Sequence, residues 1–279
     1  MAPDVTLVHM SDLHIALDDP GGFLGLATVR RAREVIAAVR ALELPLDGIV
    51  ISGDLIDAGY LDYADQVTSY RRTLPLVEEL GAQGVPVLLA LGDHDQRAAF
   101  FEVIRKEGGA DAATPLRYGH DIAGLRVIVL DSKVPGAGYG ELGEAQLAWL
   151  DKELARAARP AVLVLHHPVL PDATPWPADD DQLRDRDLLG EIVARRRVAA
   201  ILSGHVHFCT VGAFHGATAA SAPGVAFGID PTSRQRRRFT TIRGFNLIVV
   251  RDSAVAVHPI ILPGPHTELT RRDAGHGTT

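Results

Sequence analysis

The sequence predicts an α/β fold in which a buried, largely parallel sheet is covered by helices. Three observations predict it. Short, continuous apolar runs such as VTLVHM (5–10) and AVLVLHHP (161–168) read as strands buried on both faces. Longer segments with apolar residues at helical spacing separate these runs, so strand and helix alternate through most of the chain. Two late β-runs, FNLIVV (245–250) and AVAVHPI (254–260), meet across RDS and read as a hairpin that adds an antiparallel part.

The elements follow in order. VTLVHM is the first strand and ends at SDLH. TVRRAREVIAAVRALE (28–43) places Val29, Ala32, Ile36 and Val39 on one helical face. LDGIVISGD (46–54) is the next strand. Residues from about Tyr63 to Leu80 read as a helix that Pro75 should kink or break in two. VPVLLALG (85–92) is a strand, and QRAAFFEVIRKEG (96–108) a helix closed by Gly108 and Gly109. LRVIVLDS (125–132) is a strand, GEAQLAWLDKELARAA (143–158) a helix, and AVLVLHHP a strand. LRDRDLLGEIVARRR (183–197) is a helix and VAAILSGHVH (198–207) a strand, and from about 213 the helical signal stops.

The chain has 279 residues, 47% hydrophobic and 23% charged, which suits one large globular domain or two small ones. No linker rich in Ser, Gly and Pro divides it, so it reads as one domain over 1–262 with a frayed tail over 263–279. A net charge of −7 argues against non-specific nucleic-acid binding, which needs a basic footprint. The exception, RQRRR (234–238), reads as a solvated loop. The single cysteine, Cys209, rules out an intramolecular disulfide and suits the cytoplasm. The N-terminal run carries Asp4 and Asp12 and does not resemble a signal peptide. No stretch is long and apolar enough to span a bilayer.

The strand ends carry the chemistry. The first strand ends in Asp12 and His14, the second in Asp54, and the third in Asp93 and His94. The fourth of this set ends in His166 and His167, and the fifth in His205 and His207. In open α/β sheets ligands bind at the carboxyl ends of the strands, so a parallel arrangement gathers these side chains along one edge. Glycine precedes three of the groups (Gly53, Gly92, Gly204), letting the backbone turn sharply there. So many carboxylates and imidazoles buried without partners would cost several kcal/mol each. A bound cation removes that cost. Asp12, His14, Asp54, Asp93, His166, His205 and His207 make seven ligands, which suit two ions sharing a carboxylate. Imidazole and carboxylate without thiolate select Mn, Fe or Zn. Two such ions form a recurrent hydrolytic clamp in which a bridging water is deprotonated near neutral pH and becomes the nucleophile.

The blocks DLH (12–14), GD (53–54), GDHD (92–95), His166 and GHVH (204–207) together resemble the calcineurin-like metallophosphoesterases. The resemblance is closest to the class III cyclic-nucleotide phosphodiesterase branch, which also contains glycerophosphodiesterases. It spans about residues 5 to 250, with further matches at GDLIDAG (53–59), HHP (166–168) and SAPGVAFGID (221–230). It implies a four-layer α/β sandwich, two facing mixed β-sheets flanked by helices. It also implies that Asp12, His14 and His207 hold one metal and Asp93, His166 and His205 the other, with Asp54 between them. His94 would lie over the phosphate and protonate the leaving oxygen or stabilise developing charge. Asp95 would either orient His94 or cap the helix starting near Gln96. His167 and His215 are candidates for substrate contact, His167 from beside the centre or its rim.

The family usually has Asn where this chain has Asp93. Asp adds a negative charge and removes an N–H, which predicts tighter metal binding and weaker attraction for phosphate. The implied substrate is a small phosphate ester, with a cyclic nucleotide or glycerophosphodiester favoured and a broad phosphomonoester range as the alternative. A scaffold that keeps the fold without catalysis and a nuclease of the same superfamily are the less favoured readings. The loop over 17–27 and the segment over 208–230 are expected to line the mouth. Phe208, Phe214 and Phe227 are expected to pack in the core rather than stack on a base. The resemblance admits a homo-oligomer, although no apolar face identifies an interface.

Overall fold

A computed structural model describes residues 4–19, 23–57, 61–107, 113–171, 182–233, 236–252 and 254–269. In chain order the elements are β1 (Val5–Met10), α1 (Thr28–Arg40), β2 (Gly48–Ile51), α2 (Tyr63–Gly81), β3 (Val87–Leu89), α3 (Arg97–Phe100), β4 (Tyr118–Ile122) and β5 (Leu125–Val129). Then come α4 (Glu144–Arg156), β6 (Ala161–Val164), α5 (Arg186–Arg195), β7 (Val198–Ser203), β8 (Val211–Phe214) and β9 (Ala217–Ser221). The chain closes with β10 (Gly228–Ile229), β11 (Phe239–Thr240), β12 (Gly244–Arg251) and β13 (Ala254–Ile261).

Two mixed sheets form, in the orders β13-β12-β1-β2-β3 and β4-β5-β6-β7-β9-β8. β1, β2 and β3 are parallel, as are β5, β6, β7 and β9; the outer strands β4 and β8 and the hairpin β12–β13 run antiparallel. The period-2 alternation of each strand assigns its residues to layers. Val5 and Leu7 of β1 pack with Val162 and Val164 of β6 and Ala200 and Leu202 of β7 between the sheets. Val8 and Met10 face the other way, onto Ile36 of α1 and Leu76 and Leu80 of α2. On the far side, Ala161 and Leu163 meet Leu150 of α4 and Ile192 of α5. The result is a four-layer sandwich of helices, sheet, sheet and helices, as the resemblance implied. The single covered sheet suggested by alternation becomes two, because a strand buried on both faces reads the same in either arrangement.

Several local expectations differ from the structure. α2 runs through Pro75 without breaking. Pro75 sits on the exposed face, so the hydrogen bond it removes leaves a carbonyl free to meet water. Val67, Tyr70, Leu76 and Leu80 meanwhile pin the buried face on both sides of it. The helix predicted over 96–108 is one α-turn, α3, that widens into a π-turn over Phe101–Arg105 and stops at Lys106 in a left-handed conformation. Gly108 and Gly109 lie outside the described residues. β4, β8 and β9 had no strand signal: β4 is a polar edge strand, and β8–β9 is rich in Gly and Ala.

The C-terminal segment is held as far as it is described. The Thr267 N–H donates to Thr241 Oγ1 at 2.9 Å, and the Leu269 N–H donates to the Phe239 carbonyl at 2.8 Å. Leu269 also packs on the cluster of Leu24, Ala226 and Phe227. Residues 270–279 lie outside the described residues. The run RQRRR is paired where it is described: Arg236 meets Glu268 at 2.5 Å and Arg238 meets Asp230 at 2.8 Å. Among the described residues no helix is long and apolar enough to cross a membrane.

Candidate metal centre

The parallel strands of both sheets release their chains at one shared edge. There Asp12 (φ 58°), His14 (φ 42°), Asp54 (φ 52°), His205 (φ 70°) and His207 (φ 57°) adopt left-handed backbone, which Asp and His tolerate better than most residues. Neighbouring loops tie these bends together. The Asp12 N–H donates to the Gly53 carbonyl (3.0 Å), the His14 N–H to that of Asp54 (2.9 Å), and the Gly204 N–H to that of His166 (2.9 Å). Gly53 has φ +107°, and a Cβ there would lie 2.7 Å from His166 Nδ1. A Cβ on Gly92 would collide with Asp54 Oδ1.

The seven predicted ligands collect in two of the three donor groups found among the described residues. Asp12, His14 and His207 form one; Asp54, Asp93, His166 and His205 form the other. His207 Nε2 lies 3.5 Å from Asp12 Oδ1 and 3.3 Å from His14 Nε2. Asp93 Oδ1 lies 3.1 Å from both His166 Nε2 and His205 Nδ1. Asp54 joins the groups, with Oδ2 3.3 Å from His14 Nε2 and 3.5 Å from His166 Nε2. Its other oxygen, Oδ1, accepts the His94 backbone N–H at 3.0 Å.

This donor set fits two cations. His166 Nδ1 donates to the Ser52 carbonyl at 2.8 Å, and His207 Nδ1 to that of Phe227 at 2.9 Å. These bonds leave the Nε2 lone pairs aimed inward, the arrangement metal-ligating histidines use. Burial holds the His207 pKa down, to about 4, against the opposing charge of Asp12, and it lowers that of His14 as well. Two neutral imidazoles with Nε2 atoms 3.3 Å apart can aim both lone pairs at one cation. In the other group burial opposes charge on His166, yet Asp54 and Asp93 raise its pKa well above the ordinary value. Positive charge is demanded there, whether from a proton or from a metal.

His94 stands beside both groups. Its ring meets the His14 ring edge-on at 4.7 Å, and its Nε2 lies 3.8 Å from Asp93 Oδ2. Its Nδ1 faces Asp57 Oδ1 at 3.2 Å. Burial works against the charge of His94, but Asp54, Asp57 and Asp93 outweigh it and raise its pKa to about 10. Asp57 was missed as a functional residue, although it lies within the quoted GDLIDAG block.

Three expectations need correction. Asp95 neither orients His94 nor caps a helix. Its buried carboxylate accepts the N–H groups of Leu55, Ile56 and Gly92 and the hydroxyl of Tyr70, fastening the Asp54 loop to the Asp93 loop. The helix cap position belongs to Gln96. His167 is wholly buried, with Nδ1 2.8 Å from Ser132 Oγ and Nε2 donating to the Gly138 carbonyl at 3.1 Å. Both its nitrogens are engaged, so it supports His166 and His205 by ring packing rather than touching substrate. His215 lies in the β8–β9 turn against Phe214 and Gly190 of α5. β9 pairs in parallel with β7, Ser221 beside Ser203, so His215 sits at the opposite end of the sheet from His205.

Two more residues stand near the centre, of which Lys133 carried no sequence signal and Phe227 was expected in the core. Lys133, buried after β5, donates from Nζ to the Asp93 carbonyl at 2.6 Å. Phe227 stacks on the His207 ring at 4.1 Å and so walls the first group.

Facing mixed sheets with two carboxylate–imidazole groups at their common edge define a dinuclear metal-dependent hydrolase. Residues 5–209 match the calcineurin-like phosphoesterase family, and the chain belongs to that family and is a metal-dependent phosphoesterase. It is 35% identical to a cAMP/cGMP dual specificity phosphodiesterase of Mycobacterium tuberculosis, over 93% of this chain and 80% of the relative. It is 34% identical to a protein of Rhodococcus erythropolis named "Probable cyclic nucleotide phosphodiesterase", over 96% of this chain and 86% of that one. A dimetal phosphatase from Danio rerio shares the fold, with TM-score 0.64 and 16% identity over 91% of this chain and 98% of that chain.

Proposed function

We propose that this enzyme hydrolyses 3′,5′-cyclic nucleotides in the cytoplasm, with two ions drawn from Mn, Fe and Zn. The carrying observation is the position of Asp54 Oδ2 between His14 Nε2 and His166 Nε2, with His94 alongside. Asp12, His14 and His207 would hold one ion and Asp93, His166 and His205 the other, with Asp54 shared between the two groups. When bound, the ions activate the attacking water and neutralise the phosphate oxygens. The residues do the rest. Asp57 keeps His94 Nδ1 engaged, which leaves the Nε2–H free to protonate the ribose oxygen as its bond to phosphorus breaks. Asp95, Tyr70 and the paired loops keep the donors aimed. The diester preference is supported by the likeness to the two phosphodiesterases over nearly the whole chain.

The test is a substrate panel on metal-assayed protein: cyclic AMP, cyclic GMP, glycerophosphocholine and p-nitrophenyl phosphate. Cyclic nucleotides should be cleaved with the highest kcat/KM. Preference for the monoester, or no action on cyclic nucleotides, overturns the substrate assignment. His94→Ala should lower kcat by about 10²–10⁴ with metal content retained; intact turnover would remove His94 from the mechanism.

A further inference from the structure

We propose that a cavity beside His207 binds the nucleobase of the substrate, a purine packed between apolar walls and read by Thr240 and Arg238. This inference rests on the cyclic-nucleotide assignment above. The cavity has a volume of about 370 Å³ and borders the metal centre through His207. That size lies within the range of small-molecule sites and leaves room for a nucleoside. Its position follows from the strand register. Asn246 of β12 pairs with His9 of β1, and Gly244 pairs with Ile261 of β13. Ile242 and Ile261, which line the cavity, therefore lie at the edge where β1 delivers Asp12. A phosphate over the metals would have its nucleoside within reach of this side.

The lining has the character of a base site. Phe208, Ile229 and Ile242 supply apolar surface for the faces of an aromatic ring. Against these stand two buried polar atoms with no hydrogen-bond partner, Thr240 Oγ1 and Arg238 Nε. Thr240 is only 7% exposed, and a buried hydroxyl without a partner is uncommon and calls for an explanation. Arg238 is oriented by its Nη1 bond to Asp230 at 2.8 Å, while Glu268 Oε2 stays 3.8 Å from its Nε. The Nε–H can donate to a purine ring nitrogen. The Thr240 hydroxyl both donates and accepts, so it suits either a 6-oxo or a 6-amino group. The cavity thus selects purines and separates adenine from guanine only weakly. His266 and Glu268 also line it, which gives the held part of the C-terminal segment a role in substrate choice.

The test uses the full chain loaded with metal. Thr240→Val removes the hydroxyl at nearly constant shape, and Ile242→Trp fills the cavity. Methyl p-nitrophenyl phosphate serves as a diester without a base. The ratio of kcat/KM for cyclic AMP to that for the reference ester should fall about fivefold in Thr240→Val. It should fall by about tenfold or more in Ile242→Trp, with KM carrying the change. Titration calorimetry with 5′-AMP should show the same weakening. Ratios and 5′-AMP affinities that match the parent enzyme in both variants overturn the cavity assignment. A parent enzyme that leaves cyclic AMP intact, yet binds 5′-AMP in a way both variants weaken, overturns the substrate reading while sustaining the purine site.

Discussion

Asp57 Oδ1 lies 3.2 Å from His94 Nδ1 and 4.0 Å from His14 Nδ1, so one carboxylate addresses both an imidazole of the metal groups and the imidazole beside them. Asp57 raises the pKa of His94 together with Asp54 and Asp93, against the effect of burial. Asp57→Asn should therefore lower it. With His94 as the proposed acid, the alkaline limb of the pH–rate profile should move to lower pH by about one unit. A full pH profile of kcat checks this, and an unmoved limb would separate Asp57 from the proton transfer.

Asp93 is the second site of prediction. Asp12, Asp54 and Asp93 set three negative charges against two divalent ions, leaving about one net positive charge for the phosphate. Asp93→Asn should lower the KM for a cyclic nucleotide by up to about tenfold, the scale of one partly screened charge pair. It should also loosen the ion held by His166 and His205, whose nitrogens lie 3.1 Å from Asp93 Oδ1. Steady-state kinetics with parallel metal analysis tests both; an unchanged or higher KM counts against the charge argument.

Metal loading should release protons. The carboxylates hold the His166 pKa well above its ordinary value although burial opposes the charge. The proton must leave before Nε2 can ligate. Below the raised pKa the proton competes with the ion, so affinity should climb with pH through neutrality, by about tenfold per pH unit for one displaced proton. Calorimetric titration of chelator-stripped protein in buffers of differing ionisation enthalpy measures the release directly. Affinity independent of pH between 6 and 8 would contradict it, a range set by the ordinary histidine pKa of about 6.5.

Asp95 is predicted to act on stability. Its carboxylate serves three backbone N–H groups and the Tyr70 hydroxyl, all buried. Asp95→Ala strands these donors and should cost about 2–4 kcal/mol. That corresponds to a fall in Tm of roughly 5–15 °C for a domain of this size. Thermal unfolding followed by circular dichroism decides it; an unchanged Tm with lost turnover would restore a catalytic role.

Much of this centre was legible because buried parallel strands must be apolar along their length and can place chemistry only where they end. Asp12, Asp54, Asp93, His166 and His205 stand out for that reason. Asp95 misled because adjacency in sequence is not adjacency in space. His94 turns toward the open edge, while the next side chain turns back between two loops. Asp57 and Lys133 reach their partners across about forty residues of chain, and only the folded sheets bring those segments together. His215 stood as a candidate for substrate contact until the β7–β9 pairing fixed its end of the sheet.

The left-handed backbone at Asp12, His14, Asp54, His205 and His207 is fastened by bonds from protein to protein. The aim of the donors is thus set in large part by the polypeptide's own framework, so that disturbing one bend should loosen the grip of its neighbours.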